Sequence, residues 1–336
     1  MTDATGASSS SSAAARRPRV VTMGETMGLF SNTTPGPLAH AGTMQLGMGG
    51  SESNVAIGLS RLGVDAVWFG RVGDDAVGRL VEREIRAEGV DVRVVVDDRA
   101  PTGLMVKERR TSTSQNVTYY RAGSAGSRLS IDDLDEATIA GADVLHLTGI
   151  TPALSSSAAE AVGWAASVAR AGGALVSFDV NYRRALWSRD EAAAFCRAFA
   201  ATCDVLIAGE DEAAMMLGLD ADVAARTDAA ALARRLADLG SREVVVTCGA
   251  AGAVTVVDGR TKSQPGVPIV AHDTVGAGDA FVAGYLAELA AGHDVADRLR
   301  TAATAGAFSC LAAGDWEGLP RRAELGLLHA REPVTR

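Results

Sequence analysis

From Arg19 onward the chain alternates short runs of Val, Ile, Leu and Ala with longer segments of helical periodicity. This alternation constrains the fold more than any other feature, because it is how a doubly wound α/β sheet is written. The runs at 20–23, 66–69, 144–147, 175–178, 205–208, 244–247 and 253–257 read as strands, and 54–62, 156–171, 193–201 and 229–239 read as helices between them. Strands that are apolar at nearly every position suit a mostly parallel sheet covered on both faces. With 336 residues and 47% apolar content, the chain has material for a sizeable core, which excludes disorder throughout. Two regions break the rhythm. Residues 27–45 are rich in Gly, Pro, Thr and Asn, and residues 92–122 read as short β pieces at 92–96, 103–106 and 117–121. They form either a small β layer standing off the main sheet or a pair of surface loops.

Charge and cysteine usage remove several function classes. The chain carries 32 basic and 41 acidic residues, a net charge of −9, and only Lys107 and Lys262 among the basic residues are lysine. An acidic chain without a basic stripe is a poor nucleic-acid partner. Cys196, Cys203, Cys248 and Cys310 show no C-x-x-C pair, and the five histidines show no H-E-x-x-H. That speaks for buried thiols in a reducing compartment and against a zinc site. No run of about 20 apolar residues is present to span a bilayer. Residues 1–17, with Ser8 to Ser12 ahead of Arg16-Arg17, read as a disordered tail rather than a targeting peptide, before a single domain over 18–330. A cytoplasmic location is expected.

The strongest chemical signal is Asp273-Thr274-Val275-Gly276-Ala277-Gly278-Asp279, which follows a strand-like run at 267–271 and opens an apolar helix. Gly276 and Gly278 let a ligand approach the backbone, and the free N–H groups at a helix start attract anions. Asp279 reads either as a first-turn charge on the helix dipole or as the carboxylate that accepts a hydroxyl proton beside an anion hole, as phosphoryl transfer requires. A second glycine turn, Gly49-Gly50-Ser51-Glu52-Ser53-Asn54, enters another helix. It lacks the G-x-G-x-x-G spacing of a dinucleotide fingerprint, and neither lysine sits in a glycine loop, which removes a Walker-type phosphate loop.

Together these two motifs, in this order, resemble the ribokinase-like carbohydrate kinases, also called the phosphofructokinase-B family. The resemblance covers about residues 19–320 and implies a three-layer α/β/α sandwich with a small β-sheet lid over 27–45 and 92–122. It implies that Gly50 and Asn54 contact a sugar, that Gly276, Ala277 and Gly278 form the anion hole, and that Asp279 is the catalytic base. Thr247, Gly249, Gly252 and Gly278 would bind ATP. The family's N-x-x-E element has its counterpart at Gly209-Glu210-Asp211-Glu212, where Gly209 replaces Asn and leaves Glu212 to hold Mg2+ through water. Asp273-Thr274 matches a segment that some members use beside a monovalent cation such as K+. Pairing through the lid implies a homodimer or larger homo-oligomer.

Three further segments look like the 2-keto-3-deoxygluconate kinase branch: Tyr119-Tyr120-Arg121, Asp179-Val180-Asn181-Tyr182-Arg183 and Gly314-Asp315-Trp316. A sugar acid adds a carboxylate to the hydroxyls, and Arg presents a planar fork that matches it. Arg121 and Arg183 are expected at the carboxylate, with Tyr119 beside them and Asp315 at hydroxyls. The expected activity is ATP-dependent phosphorylation of 2-keto-3-deoxygluconate at its terminal hydroxyl. The alternatives are a kinase for a neutral sugar such as fructose or ribose, a kinase for another keto-deoxy acid, and a non-catalytic sugar-binding regulator.

Overall fold

A computed structural model of the chain describes residues 16–111 and 114–329. The tail read over 1–17 therefore lies outside the described residues as far as residue 15. Arg16 already belongs to the body, its guanidinium 2.6 Å from Asp143.

Among the described residues, thirteen strands form two sheets. The strands are β1 (Arg19–Met23), β2 (Met27–Asn32), β3 (Met44–Gly49), β4 (Asp65–Gly73), β5 (Asp91–Asp97), β6 (Leu104–Arg109), β7 (Gln115–Tyr120), β8 (Val144–Thr148), β9 (Leu175–Asp179), β10 (Val205–Gly209), β11 (Glu243–Thr247), β12 (Gly252–Val257) and β13 (Arg260–Pro265). The helices are α1 (Ser51–Arg61), α2 (Ala76–Ala87), α3 (Glu136–Ala140), α4 (Ser156–Ala171), α5 (Arg189–Ala200), α6 (Glu210–Met216), α7 (Ala221–Ala224), α8 (Ala229–Ala237), α9 (Ala277–Ala290) and α10 (Val295–Ser309).

The large sheet runs β13-β12-β11-β10-β9-β8-β1-β4-β5 and is parallel except for the β11-β12-β13 meander. Its strands are apolar at both parities because both faces are covered. Val244 and Val246 enter one core with α4, α5, α6 and α8, while Val245 between them enters the other with α1, α9 and α10. The expected three-layer sandwich follows. The small sheet, β3-β2-β6-β7, is the expected lid.

Two expectations are corrected. The 92–96 piece is a strand, β5, but it pairs with β4 at the edge of the large sheet and takes no part in the lid. The 267–271 run is irregular rather than a strand. β13 ends at Pro265, Pro268 has no N–H to give a ladder, and Val270 is 92% exposed.

Helix α9 positions the site. It is buried from Ala280 through Leu289, wedged between the sheet, α1 and α10. The contacts are too close for side chains. A Cβ on Gly58 of α1 would lie 2.6 Å from the Ala283 Cβ, and one on Gly284 would lie 2.9 Å from the Ala302 Cα of α10. This approach sets the first turns of α1 and α9 side by side.

Candidate active site

The two glycine turns meet where α1 and α9 begin. Asp279, in the first turn of α9, accepts hydrogen bonds from the Ser51 hydroxyl (2.7 Å) and the Asn54 amide (2.8 Å), both in the first turn of α1. Burial pushes the Asp279 carboxyl above its ordinary range. The Ser51 and Asn54 bonds and the Arg183 charge pull the other way. The result is a half-buried carboxylate, more basic than usual and held in a fixed orientation.

Gly276 caps α9 with φ +76°, a left-handed conformation that glycine adopts without strain, and a Cβ there would meet the Asp315 carbonyl at 2.0 Å. The N–H groups of Gly276, Gly278 and Asp279 have no acceptor among the described residues. The Ala277 N–H bonds weakly to the Thr274 carbonyl at 3.3 Å. Three free donors at the positive end of a fourteen-residue helix are an arrangement that attracts negative charge.

Residues 17–322 match the pfkB family carbohydrate kinases. The chain belongs to the pfkB carbohydrate kinase family. It is 36% identical over 298 residues to a 2-dehydro-3-deoxygalactonokinase of Haloferax volcanii, covering 88% of this chain and 92% of that protein. It is likewise 36% identical over 306 residues to a 2-dehydro-3-deoxygluconokinase of Thermoproteus tenax, covering 90% and 91% of the two chains. Among solved structures, a 2-dehydro-3-deoxygluconokinase of Thermotoga maritima superposes with a TM-score of 0.83 at 27% identity, covering 93% of this chain and 98% of that one.

In this pfkB kinase, Thr247, Gly249, Gly252 and Gly278 line one mainly apolar cavity of about 430 Å³, together with Phe281 and Ala307. The irregular 267–271 segment forms part of its wall. Gly50 is the N-cap of α1. Arg183 is half-buried and makes no ion pair among the described residues; its one polar contact is the Tyr182 carbonyl at 3.2 Å. Its charge acts on both Asp279 and Asp179. Arg121 is placed differently. It lies over the Tyr119 ring at 5.7 Å and donates to the buried Glu25 at 2.7 Å, so one edge of its fork is already engaged.

Glu212 accepts the Tyr182 N–H (2.7 Å) and the Gly209 N–H (2.8 Å), so it ties the start of α6 to the segment that follows β9. Its neighbour Asp179 is held well above the ordinary carboxylate range by burial and by the charges of Glu212 and Asp279. Asp179, Glu212 and Asp279 thus form a negative cluster with Arg183 as its counter-charge. No three His, Cys, Asp or Glu side chains among the described residues converge closely enough to chelate an ion directly. The negative charge of the cluster is what a divalent cation held through water and substrate oxygens would balance.

Several residues of the site carried no assigned role in the sequence reading. The Asn181 amide, at φ +40°, donates to the Ser51 hydroxyl at 2.7 Å and so backs the donor that orients Asp279. Glu52 fixes the start of α1 by accepting the Thr148 and Thr151 hydroxyls, each at 2.7 Å. Lys107, on the lid strand β6, is 3% exposed and lies 2.9 Å from Asp273 and 3.6 Å from Asp315. The one available signal was compositional, since Lys107 is one of two lysines in the chain.

Proposed function

We propose that this pfkB kinase transfers the γ-phosphoryl group of ATP to the terminal hydroxyl of 2-keto-3-deoxygluconate, giving the 6-phosphate and ADP. The observation that carries the reading is Asp279 beside three free N–H groups, with an uncommitted Arg183 close by. Asp279 takes the proton from the acceptor hydroxyl as its oxygen bonds to phosphorus and the bond to the ADP oxygen breaks. A base in this role contributes about 10²–10⁴-fold. The N–H groups of Gly276, Gly278 and Asp279 meet the charge on the transferring group, with Ala277 a weaker fourth donor. The cavity at Thr247, Gly249 and Gly252 takes the nucleoside end of ATP.

Mg2+ would supply charge neutralisation on the phosphates, and Glu212 with Asp179 would hold its water shell. Asp273 already carries its positive partner in Lys107, so the reading includes no K+ ion. Arg183 is the principal partner of the sugar carboxylate, with the free edge of Arg121 and the Tyr119 ring beside it. Gly50, Asn54 and Asp315 meet hydroxyls. Names of relatives support a keto-deoxy sugar acid over a neutral sugar. Because the Haloferax relative is named for the galactonate epimer, that epimer is the second reading.

Met44, Leu46 and Tyr120 lie exposed on the lid, a surface that suits a homo-oligomer contact with a second copy. No described helix is long and apolar enough to cross a membrane, and dependence on ATP fits the cytoplasm. The test is ADP release over a panel holding both keto-deoxy epimers, fructose and ribose, with wild-type protein and Asp279→Asn. A keto-deoxy acid should be the best acceptor, and Asp279→Asn should lose about 10²-fold or more in kcat. Turnover of neutral sugars alone, or an active Asp279→Asn enzyme, overturns the reading.

A further inference from the structure

The lid meets the body of the molecule through polar side chains on its inner face. Along β6, Met105 and Lys107 are buried while the alternating Leu104 and Val106 are only half-buried. Lys107 pairs with Val117 of β7 in the sheet register, and Gln115 lies on the same face two residues away. Both Lys107 and Gln115 converge on one carboxylate. Asp273 takes the Lys107 ammonium on Oδ2 at 2.9 Å and the Gln115 amide on Oδ1 at 3.0 Å, and its Oδ1 also accepts the Val275 N–H at 3.1 Å. The same ammonium lies 3.6 Å from Asp315, whose carbonyl packs against Gly276, the first residue of the anion site.

Charge makes this contact more than an anchor. Asp273, Asp279, Asp315 and Glu317 crowd this end of the site, and Lys107 is the ion-pair partner, among the described residues, of two of them, Asp273 and Asp315. A lysine buried with two carboxylates is costly to separate from them, so its strand and the 273–278 turn hold one joint position. Lifting the lid takes the positive charge away from the carboxylates that a sugar and a triphosphate must approach. Seating it restores that charge and presses on the turn that carries the free N–H groups.

We propose that Lys107 is a positioning residue that locks the β-sheet lid onto the 273–278 turn, so that the anion site and Asp315 reach their working arrangement only when the lid is seated. The lock acts on the sugar side and on the transfer step. The nucleoside cavity shares Thr274, Ala277 and Gly278 with that turn, but the rest of its wall, including Thr247, Gly252, Ile269 and Ala307, makes no contact with Lys107, so the effect falls mainly on the sugar and the transfer step.

This inference rests on the catalytic roles proposed above, and the test separates the two. Wild type, Lys107→Met, Lys107→Arg and Asp279→Asn are assayed with the best sugar acid and MgATP. Lys107→Met should lower kcat about tenfold or more and raise the sugar KM about tenfold, with the MgATP KM within about threefold of wild type. Lys107→Arg, which keeps the charge, should recover most of both. A folded Lys107→Met enzyme within about twofold of wild type overturns the lock. So does a loss that moves both KM values together and that Lys107→Arg does not recover, since a merely structural lysine gives that pattern. An active Asp279→Asn enzyme instead sinks the catalytic reading beneath it. If Lys107→Met does not fold, amide exchange on the wild type decides. Saturating sugar should slow exchange in β6, β7 and the 273–278 turn together, and slowing confined to the two strands overturns the proposal.

Discussion

Ser51→Ala removes one of the two side chains that orient the proposed base, and the structure supplies the size of the effect. The Ser51 hydroxyl donates to Asp279 at 2.7 Å and accepts from Asn181 at 2.7 Å, so the substitution strips a donor from the carboxylate and unties Asn181 from the chain behind it. A hydrogen bond to a charged group contributes about 1.5–3 kcal/mol, and about 1.4 kcal/mol is tenfold in a protonation equilibrium. Burial already raises the Asp279 carboxyl, and the donors oppose that rise. Losing one therefore favours the protonated form, which cannot act as a base. The acid limb of kcat/KM should move toward neutral pH by about one to two pH units, while the rate at high pH falls much less. Continuous ADP-release assays from about pH 5 to pH 9 read the limb directly, and Ser51→Thr, which keeps the hydroxyl, should leave it in place. If the limb of Ser51→Ala stays at the wild-type pH while the plateau drops, the hydroxyl does not tune Asp279, and the account of the base is wrong.

Arg183→Ala should raise KM for the sugar acid by about 10–100-fold and leave the MgATP KM nearly unchanged, because the guanidinium has no structural ion pair to lose; equal effects on both substrates would remove it from carboxylate recognition. Asp315 is pushed up to about 6 by burial, against the pull of Lys107 and helped by the charges of Asp279, Glu317 and Asp273. Sugar KM should therefore climb as pH falls through about 6, as the protonated carboxyl loses acceptor capacity, and Asp315→Asn should flatten that dependence. The stability sign is opposite. A carboxyl raised in the native state favours folding below its ordinary range, and that contribution is lost as pH rises through the native value. Thermal melts of Asp315→Asn against wild type across this range test the sign.

The elements that could be read from sequence are those whose signal is local. Both faces of a parallel strand are buried, so β8, β9, β10 and β11 declare themselves as runs apolar at both parities, broken within only by the buried His146 and Ser177. The 92–96 and 267–271 runs carry the same signal with different outcomes. Apolar content alone neither names a partner nor guarantees burial: one run found the edge of the large sheet, and the other lines the nucleoside cavity while its Val270 stays exposed. Asp279 was legible because its glycines and its helix start are contiguous with it.

Its neighbours were not legible, for a reason of distance along the chain. Ser51 lies 228 residues from Asp279, Asn181 lies 130 from Ser51, and Lys107 lies 166 from Asp273. Arg121 shows the same limit from the other side, since its residue type and motif point at a ligand carboxylate while the fold brings Glu25 from 96 residues away to one edge of it. By itself the sequence determined the alternating layers, the family and the identity of the carboxylate at the head of α9, because periodicity and short motifs act over a few residues. Only the tertiary structure decided which side chains hold that carboxylate, which arginine stays free and what fastens the lid. Those follow from how closely α1, α9 and the small sheet pack, and that closeness depends on pairs of surfaces that no single stretch of chain contains.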